Sequence, residues 1–579
     1  MEGVVDRECG SNEATKQGSG RWGRDEVAKR VLAFKTHGDN GISQREFCKI
    51  DGISRATLQG WLDREASLTA SPEAVAFFEC PAGLAHLHRV QVACALCNNM
   101  LSPAGVRIIC LFLELSGLNA FIASSYGAQY NYIKELHTKL DEYSKEQRDK
   151  GTEHLKQVKS ELPFLLKQII LLMDENFHEG PCLVATDAAS NFIFTEQHSE
   201  ARDEAAWTEA MRTGLADLPV QVVAANTDEA KALKAYTTKT LDVPHLCELF
   251  HVQQEVTKGT SASLARRERD SQKALDQAIE KKGKVYARWE SIPADSGESY
   301  VEGPVLQQAL EGLEADVEQA RQALQEASSQ RQQMREAVRE LSSNYHPYDL
   351  ETGHCRSQEQ VEAGLTGAFD KMERVASEAG LAERFGKSLK KARRLLESMV
   401  ATVAFFHCLV AARLHALKLD PKVEELVANI LIPMEYLNLA AGRCSQAEGR
   451  HQLLETVRQM GERLAADALW TALPESYQRD LLLFSRESAH LFVRSTSAVE
   501  GRNGQLSLHH HGSHHLSKAK LTALTVVHNY FLLRGDGTTA SERFFGRAPD
   551  DMFQWLLEHM PLPSRPAKPR SHHPWRQAA

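Results

Sequence analysis

Two short apolar runs, each closing on or just before an aspartate, constrain this chain more than any other feature. CLVATD ends at Asp187, and VQVVAAN stops just short of Asp228. Both are bounded by turn residues and read as strands of a covered sheet. NFIFTEQ, after the first run, is a further strand. ARDEAAWTEAMRTGLADL, between the runs, has an amphipathic helical pattern, and DEAKALKAYT starts another helix. Strands alternating with helices imply an α/β sheet domain, with the change of texture at Pro181.

The rest of the chain is patterned for helix, so the fold class is mixed and mostly α. Residues 1–20 are polar and Gly-rich and read as a disordered tail. Residues 21–66 form a compact helical unit. Its first helix turns Val27, Val31, Leu32 and Phe34 inward. Ser43 then caps a short helix carrying Phe47, Gly52 makes a turn, and Ser54 caps a helix carrying Leu58, Trp61 and Leu62. This is a helix-turn-helix pattern, with Arg55, Thr57 and Gln59 near the exposed start of its second helix. The plainer reading is a three-helix packing unit with no ligand. Residues 75–175 are helical, and SGLNAFIASSYGAQYNYIKELHTKLDEY fits a second helix-turn-helix or ordinary packed helices equally well. Residues 176–256 hold the strands. Residues 257–485 are helical again, with heptad-like spacing over 262–341 that reads as a helical hairpin or coiled coil broken at 292–297. That segment serves either as a contact between protomers or as a solvated spacer. Residues 345–353 are a loop. Residues 486–560 carry helices at 517–534 and 548–560, and 561–579 is a basic tail.

Bulk properties remove several function classes. No apolar run is long enough to span a bilayer, and the N-terminus lacks signal-peptide character, so a cytoplasmic location without membrane contact is expected. Eleven cysteines without regular spacing argue for reduced thiols. Cys94 and Cys97, with Cys80, His86 and His88 nearby, lie in a run that reads as buried helix rather than a zinc site. No Gly-rich phosphate loop of the Walker type is present. The net charge of −9 does not exclude nucleic acid, because the charge is segregated and about the last eighty residues are basic and rich in His. His509, His510, His511, His514 and His515 read as a polar segment facing DNA.

Asp187, Asp228 and Glu500, the last in STSAVEGRNGQL, suit phosphodiester chemistry, which needs hard oxygen ligands for Mg²⁺. Singly, each says little: an aspartate after a strand reads as a turn or cap residue, and Asp228 suits the cap of a helix starting at Glu229. The surrounding sequence carries more. SAVEGRNGQLSLHHHGSHHLSKAKLTALTVVHNYFLLRGDGTTASERFFGRAP contains a Glu-Gly-x-Asn-Gly run, a His-rich stretch, an His-Asn-Tyr helix and the segment DGTTASERFFG at 536–546. HLCELFHVQQE at 245–255 places Cys247 and Glu248 ahead of His251.

These blocks resemble the DDE transposases of insertion sequences over most of residues 20–560, most densely at 495–550. The acidic position at Glu248 departs from the usual residue there. The resemblance implies a ribonuclease H-like core, with a large all-helical insertion between Asp228 and Glu500 as in the hobo/Activator type. It implies Mg²⁺, with Mn²⁺ able to substitute, held by Asp187, Asp228 and Glu500 as catalytic metal ligands, and support from His251, Arg502 and Asn503. It further implies contacts to double-stranded DNA from Arg55, Thr57, Gln59, Lys518 and Lys520. The activity would be cleavage at the element's terminal repeats and strand transfer to a target, by a homo-oligomer of at least two protomers on a bacterial nucleoid. A silent DNA-binding regulator and a ribonuclease H-like nuclease without strand transfer are the alternatives.

Overall fold

The computed structural model describes residues 22–39, 41–161, 166–177, 180–228, 230–292, 302–513 and 516–566. The expected N-terminal tail, His514 and His515, most of the break at 292–297 and the last part of the C-terminal tail lie outside them. The chain divides into two compact units, 1–147 with 508–527 and 549–579, and 148–507 with 528–548.

In the first unit, helices Arg24–Asp39, Gln44–Asp51 and Arg55–Ala66 pack around Phe47, Cys48, Ile53 and Leu58. The Ser43 and Ser54 hydroxyls cap the second and third helices by accepting from the amides of Glu46 and Thr57. Gly52, at φ 70°, takes the left-handed turn between them, where a side chain would be strained. Leu32 departs from its expected inward position and is exposed. Further helices, Pro81–Ala95, Val106–Leu115 and the start of Tyr126–Glu161, bury Leu87, Val92, Ile109 and Leu136.

The second unit holds one five-stranded sheet, ordered β3-β2-β1-β4-β5. The strands are β1 (Lys167–Phe177), β2 (Pro181–Asp187), β3 (Ile193–His198), β4 (Val220–Thr227) and β5 (His245–Leu246). β2 runs antiparallel to β1 and β3, while β4 is parallel to β1 and β5. The first strand corrects the expected boundary at 175/176, which cuts through it. QIILLM is a continuous apolar run, and such a run is ambiguous between a buried helix and a strand covered on both faces.

Two C-terminal segments brace the sheet edge. Asn529, in helix Lys518–Tyr530, accepts from the Ile193 amide at 2.9 Å and donates to the Ile193 carbonyl at 3.0 Å. Its amide thereby supplies the partners that edge strand β3 lacks. Arg543 donates to the Ser190 carbonyl from Nε (3.2 Å) and Nη2 (3.0 Å). Phe544 stacks on Phe192 with centroids 4.8 Å apart, both fully buried. The DGTTASERFFG segment is thus a clamp. Asp536 accepts from Thr538, Thr539 caps helix Ala540–Phe545, and Gly546 ends it at φ 72°.

Helices Leu249–Glu290 and Gly303–Asn344, of 42 residues each, pack on one another. At 1.5 Å per residue each is about 63 Å long. The first begins at 249, eight residues ahead of the expected insertion boundary. The helices that follow include Leu396–Leu417, within a stretch (Gly386–Leu417) long and apolar enough to cross a membrane by length and composition. This corrects the expectation that no such run exists. Its Met399, Val403, Phe406, Val410 and Leu414 are buried within the unit.

Candidate active site

The register of the parallel strands β1, β4 and β5 sets up a row of acids. Met173 pairs with Thr227, so the next residues, Asp174 and Asp228, adjoin. Asn226 pairs with Leu246, so the same register carried two residues on sets Glu248 beside Asp228. Adjacent strands are about 4.8 Å apart. Across the other side of β1, Asp174 pairs with Val184 and Val184 with Glu196. In-register residues share a face, so Glu196, Val184 and Asp174 form one line across the sheet.

Helix Ser497–Ser513 lies along that line. Arg502 grips Glu196 with a bidentate pair, Nε to Oε1 at 2.8 Å and Nη2 to Oε2 at 2.5 Å, with both side chains buried. Next to it, Asn503 Nδ2 donates to Asp174 Oδ2 at 2.8 Å. Glu500, in the first turn, contributes to the field at Asp174 together with Asp228 and Glu248. The segment entering the helix is tied down as well. Glu248 Oε1 accepts from the Thr496 amide at 3.0 Å and from its hydroxyl, and the Leu249 amide donates to the Arg494 carbonyl at 2.8 Å. His251 Nδ1 stands 3.4 Å from Glu248 Oε2.

Burial, together with the charges of Asp228, Glu248 and Glu500, raises the Asp174 carboxyl to about 6, against the fall caused by the Glu175 amide it accepts from. Burial and then Glu248 also raise Glu500, partly offset by His251. Asp174 therefore takes up its proton at higher pH in the folded chain than in the unfolded one, whose carboxyl titrates near about 3.9. Between those values the native state binds more protons, so Asp174's contribution to stability falls as pH rises through about 6. With divalent cations chelated, Asp174→Asn is expected to stabilise the chain by about 1–2 kcal/mol at pH 7.5 and by little at pH 4. Urea unfolding at the two pH values measures this, and a variant less stable than wild type at pH 7.5 contradicts it.

Asp187, the residue expected from sequence as the first metal ligand, is elsewhere. It ends β2, whose antiparallel course sets it opposite Leu171, back toward the start of β1. It is 1% exposed, and its Oδ2 accepts from the Ser190 amide (2.8 Å) and hydroxyl (2.6 Å), closing the β2–β3 turn. The carboxylate beside Asp228 is Asp174, in a strand most of which falls within the stretch expected to be helical. Its signal was the run QIILLMD, an apolar run closing on an aspartate like CLVATD.

The remaining expected residues divide. Asp228 lies where expected, past β4, and its Oδ1 accepts from the Ala230 amide at 3.0 Å ahead of a helix that starts at Lys231; Glu229, the expected start, lies outside the described residues. Glu500 and Asn503 share a face of one helix. Arg502 is buried against Glu196 and is not presented to a phosphate. Arg55 and Gln59 are exposed, whereas the Thr57 hydroxyl is shared with Ser54 at 2.7 Å. Lys518 is exposed, but Lys520 is buried, and burial lowers its pKa.

The donor set is one of hard oxygens, which suits Mg²⁺ and Mn²⁺. Asn503 Oδ1 is buried next to it without a hydrogen-bond partner among the described residues, a further oxygen donor. As the side chains stand, no three His, Cys, Asp or Glu among the described residues close on a single ion position. In comparison with known proteins, a family model described as a family of unknown function (DUF6399) matches residues 427–572. No curated protein matches the chain. The matched stretch includes Glu500, Arg502, Asn503 and the Asp536–Gly546 clamp, so the helix facing the acidic row and the sheet brace fall within one recurrent unit.

Proposed function

We propose that this chain is a DNA transposase of the DDE type, with Asp174, Asp228 and Glu500 as its acidic triad. The observation that carries the reading is the grouping of three acids at one side of the sheet: Asp174 and Asp228 adjoin in register on neighbouring parallel strands, and Glu500, in the first turn of a helix bound to the same sheet, acts on Asp174 through its charge. A sheet ordered 3-2-1-4-5, with its second strand alone reversed, supports a ribonuclease H-like core interrupted by the helical insertion. Asp174, Asp228 and Glu500 would hold Mg²⁺, or Mn²⁺ in its place. Two such ions, when bound, lower the pKa of a nucleophilic water and stabilise charge on the attacking and leaving oxygens of an in-line displacement.

The chain's own residues arrange that site. Asn503 orients the Asp174 carboxylate, so its second oxygen keeps one direction. Glu248 pins the segment entering the Glu500 helix. The Arg502–Glu196 pair fixes the helix to the sheet, so Glu500 is delivered at one height. DNA contacts fall to the 24–66 helices through Arg55 and Gln59, and to Lys518. A homo-oligomer on DNA follows from the need to join two ends.

The test is a Mg²⁺-dependent cleavage and joining assay, on double-stranded DNA carrying the sequences that flank this coding region. Cutting with joining of the freed 3′ ends supports transposition. Cutting without joining supports a nuclease, and binding without cutting under either Mg²⁺ or Mn²⁺ supports a silent DNA-binding regulator.

A further inference from the structure

We infer that the groove between the two long helices of the insertion is a phosphodiester-binding site for the DNA strand leaving the acidic row, an assignment that rests on the DNA reading above. The groove encloses about 290 Å³ and is lined by Thr257, Ser261 and Leu264 of the first helix and by Arg331, Arg335 and Arg339 of the second. Three arginines at four-residue intervals lie on one helix face, about 6 Å apart along its axis, close to the spacing of successive phosphates along a strand.

Their charge is only partly cancelled locally. Arg331 pairs with Glu268, whose carboxylate also feels the charge of Arg335. Arg335 and Arg339 are themselves exposed and form no ion pair with a described residue. The acidic neighbours on the same helix are engaged elsewhere, Glu336 with Gln332 and Glu340 with Lys371. Ser261 adds an exposed hydroxyl. A solvated helix face normally alternates its charges, so a concave face that keeps two guanidinium groups outside any ion pair fits a polyanion.

The second helix of the groove also ends close to the acidic row. The Tyr345 hydroxyl donates to the Cys247 carbonyl at 3.0 Å, and Arg494 Nη1 donates to the Ser342 carbonyl at 2.9 Å. These bonds fasten the end of the second helix beside Glu248. Arg339 lies about 7.5 Å before that end, counting 1.5 Å per residue. A strand emerging from the acidic row therefore meets Arg339 first, then Arg335, then Arg331.

The experiment measures binding of the full chain to a labelled mixed-sequence DNA duplex by fluorescence anisotropy, across a series of NaCl concentrations without divalent cation. In Arg335→Gln/Arg339→Gln, the slope of log K against log [NaCl] is expected to become shallower by about 1.8, at about 0.9 for each phosphate no longer neutralised. Arg335→Lys/Arg339→Lys should keep most of the wild-type slope. Arg269→Gln/Lys273→Gln, which removes the same charge from exposed positions of the first helix outside the groove, should leave it unchanged. An unchanged slope in the Arg335/Arg339 glutamine variant, or an equal change in the Arg269/Lys273 variant, overturns the groove while leaving the DNA reading intact. Wild type that binds no DNA overturns both.

Discussion

Asp174→Asn is expected to lower Mg²⁺-dependent DNA cleavage by more than about a hundredfold, a loss larger than removal of a supporting group produces. Asp187→Asn is expected to keep cleavage within about tenfold of wild type. The two aspartates end apolar runs of similar appearance, and strand direction separates them. Asp174 lies in the C-terminal half of β1, level with Asp228 just past β4, whereas β2 is reversed and carries Asp187 the other way. The Asp187 carboxylate is occupied in the turn by two donors from Ser190. Weakening those bonds costs about 1–3 kcal/mol, so Asp187→Asn should show its effect in urea unfolding rather than in turnover. Equal cleavage by wild type and Asp174→Asn would remove Asp174 from the triad. Loss of cleavage in Asp187→Asn with unchanged stability would restore Asp187 to it.

Arg502→Ala is expected to destabilise the folded chain by about 3–5 kcal/mol, because it leaves the Glu196 carboxylate buried with no opposite charge. The pair is bidentate, and both side chains are almost wholly shielded, at 4% and 0% exposure. Replacing both partners, as in Glu196→Met/Arg502→Met, removes the charge together with its counter-charge and is expected to cost much less. Unfolding of the two variants followed by circular dichroism reads the contrast directly. If Arg502→Ala and the double variant are equally destabilised, the pair is not acting through buried charge. This pair also explains why an arginine two residues beyond Glu500 sits in the Glu-Gly-Arg-Asn-Gly run. It anchors the helix to β3, while Asn503 reaches across to β1.

Much of the local structure was legible in the sequence. The apolar runs ending near Asp187 and Asp228 form β2 and β4, and Ser43, Gly52 and Ser54 cap and turn the N-terminal helices. Side-chain chemistry decides such features within a few residues. The role of Asp187 was not legible, because it depends on strand direction, which only the long-range pairing of β1 with β2 and β4 fixes. β1 itself was hidden because burial on both faces erases the alternation that marks a strand. The two-residue strand His245–Leu246 is too short to carry any pattern. Arg502 and Lys520 looked like surface cations in one dimension. Their burial follows from Glu196 in one case and from the packing of the first unit in the other, both distant in sequence. The DGTTASERFFG segment stood out in the sequence, and its residues act as a brace on β3 and the β2–β3 turn, which accounts for its dense pattern of specific side chains.

The most direct measurement is Mn²⁺ binding to the full chain, followed by the loss of the free-ion electron paramagnetic resonance signal in wild type, Asp174→Asn and Asp187→Asn. Wild type and Asp187→Asn are expected to take up Mn²⁺ alike, and Asp174→Asn to bind it far more weakly. Uptake by Asp174→Asn equal to that of wild type would contradict the assignment of the acidic row as the metal site.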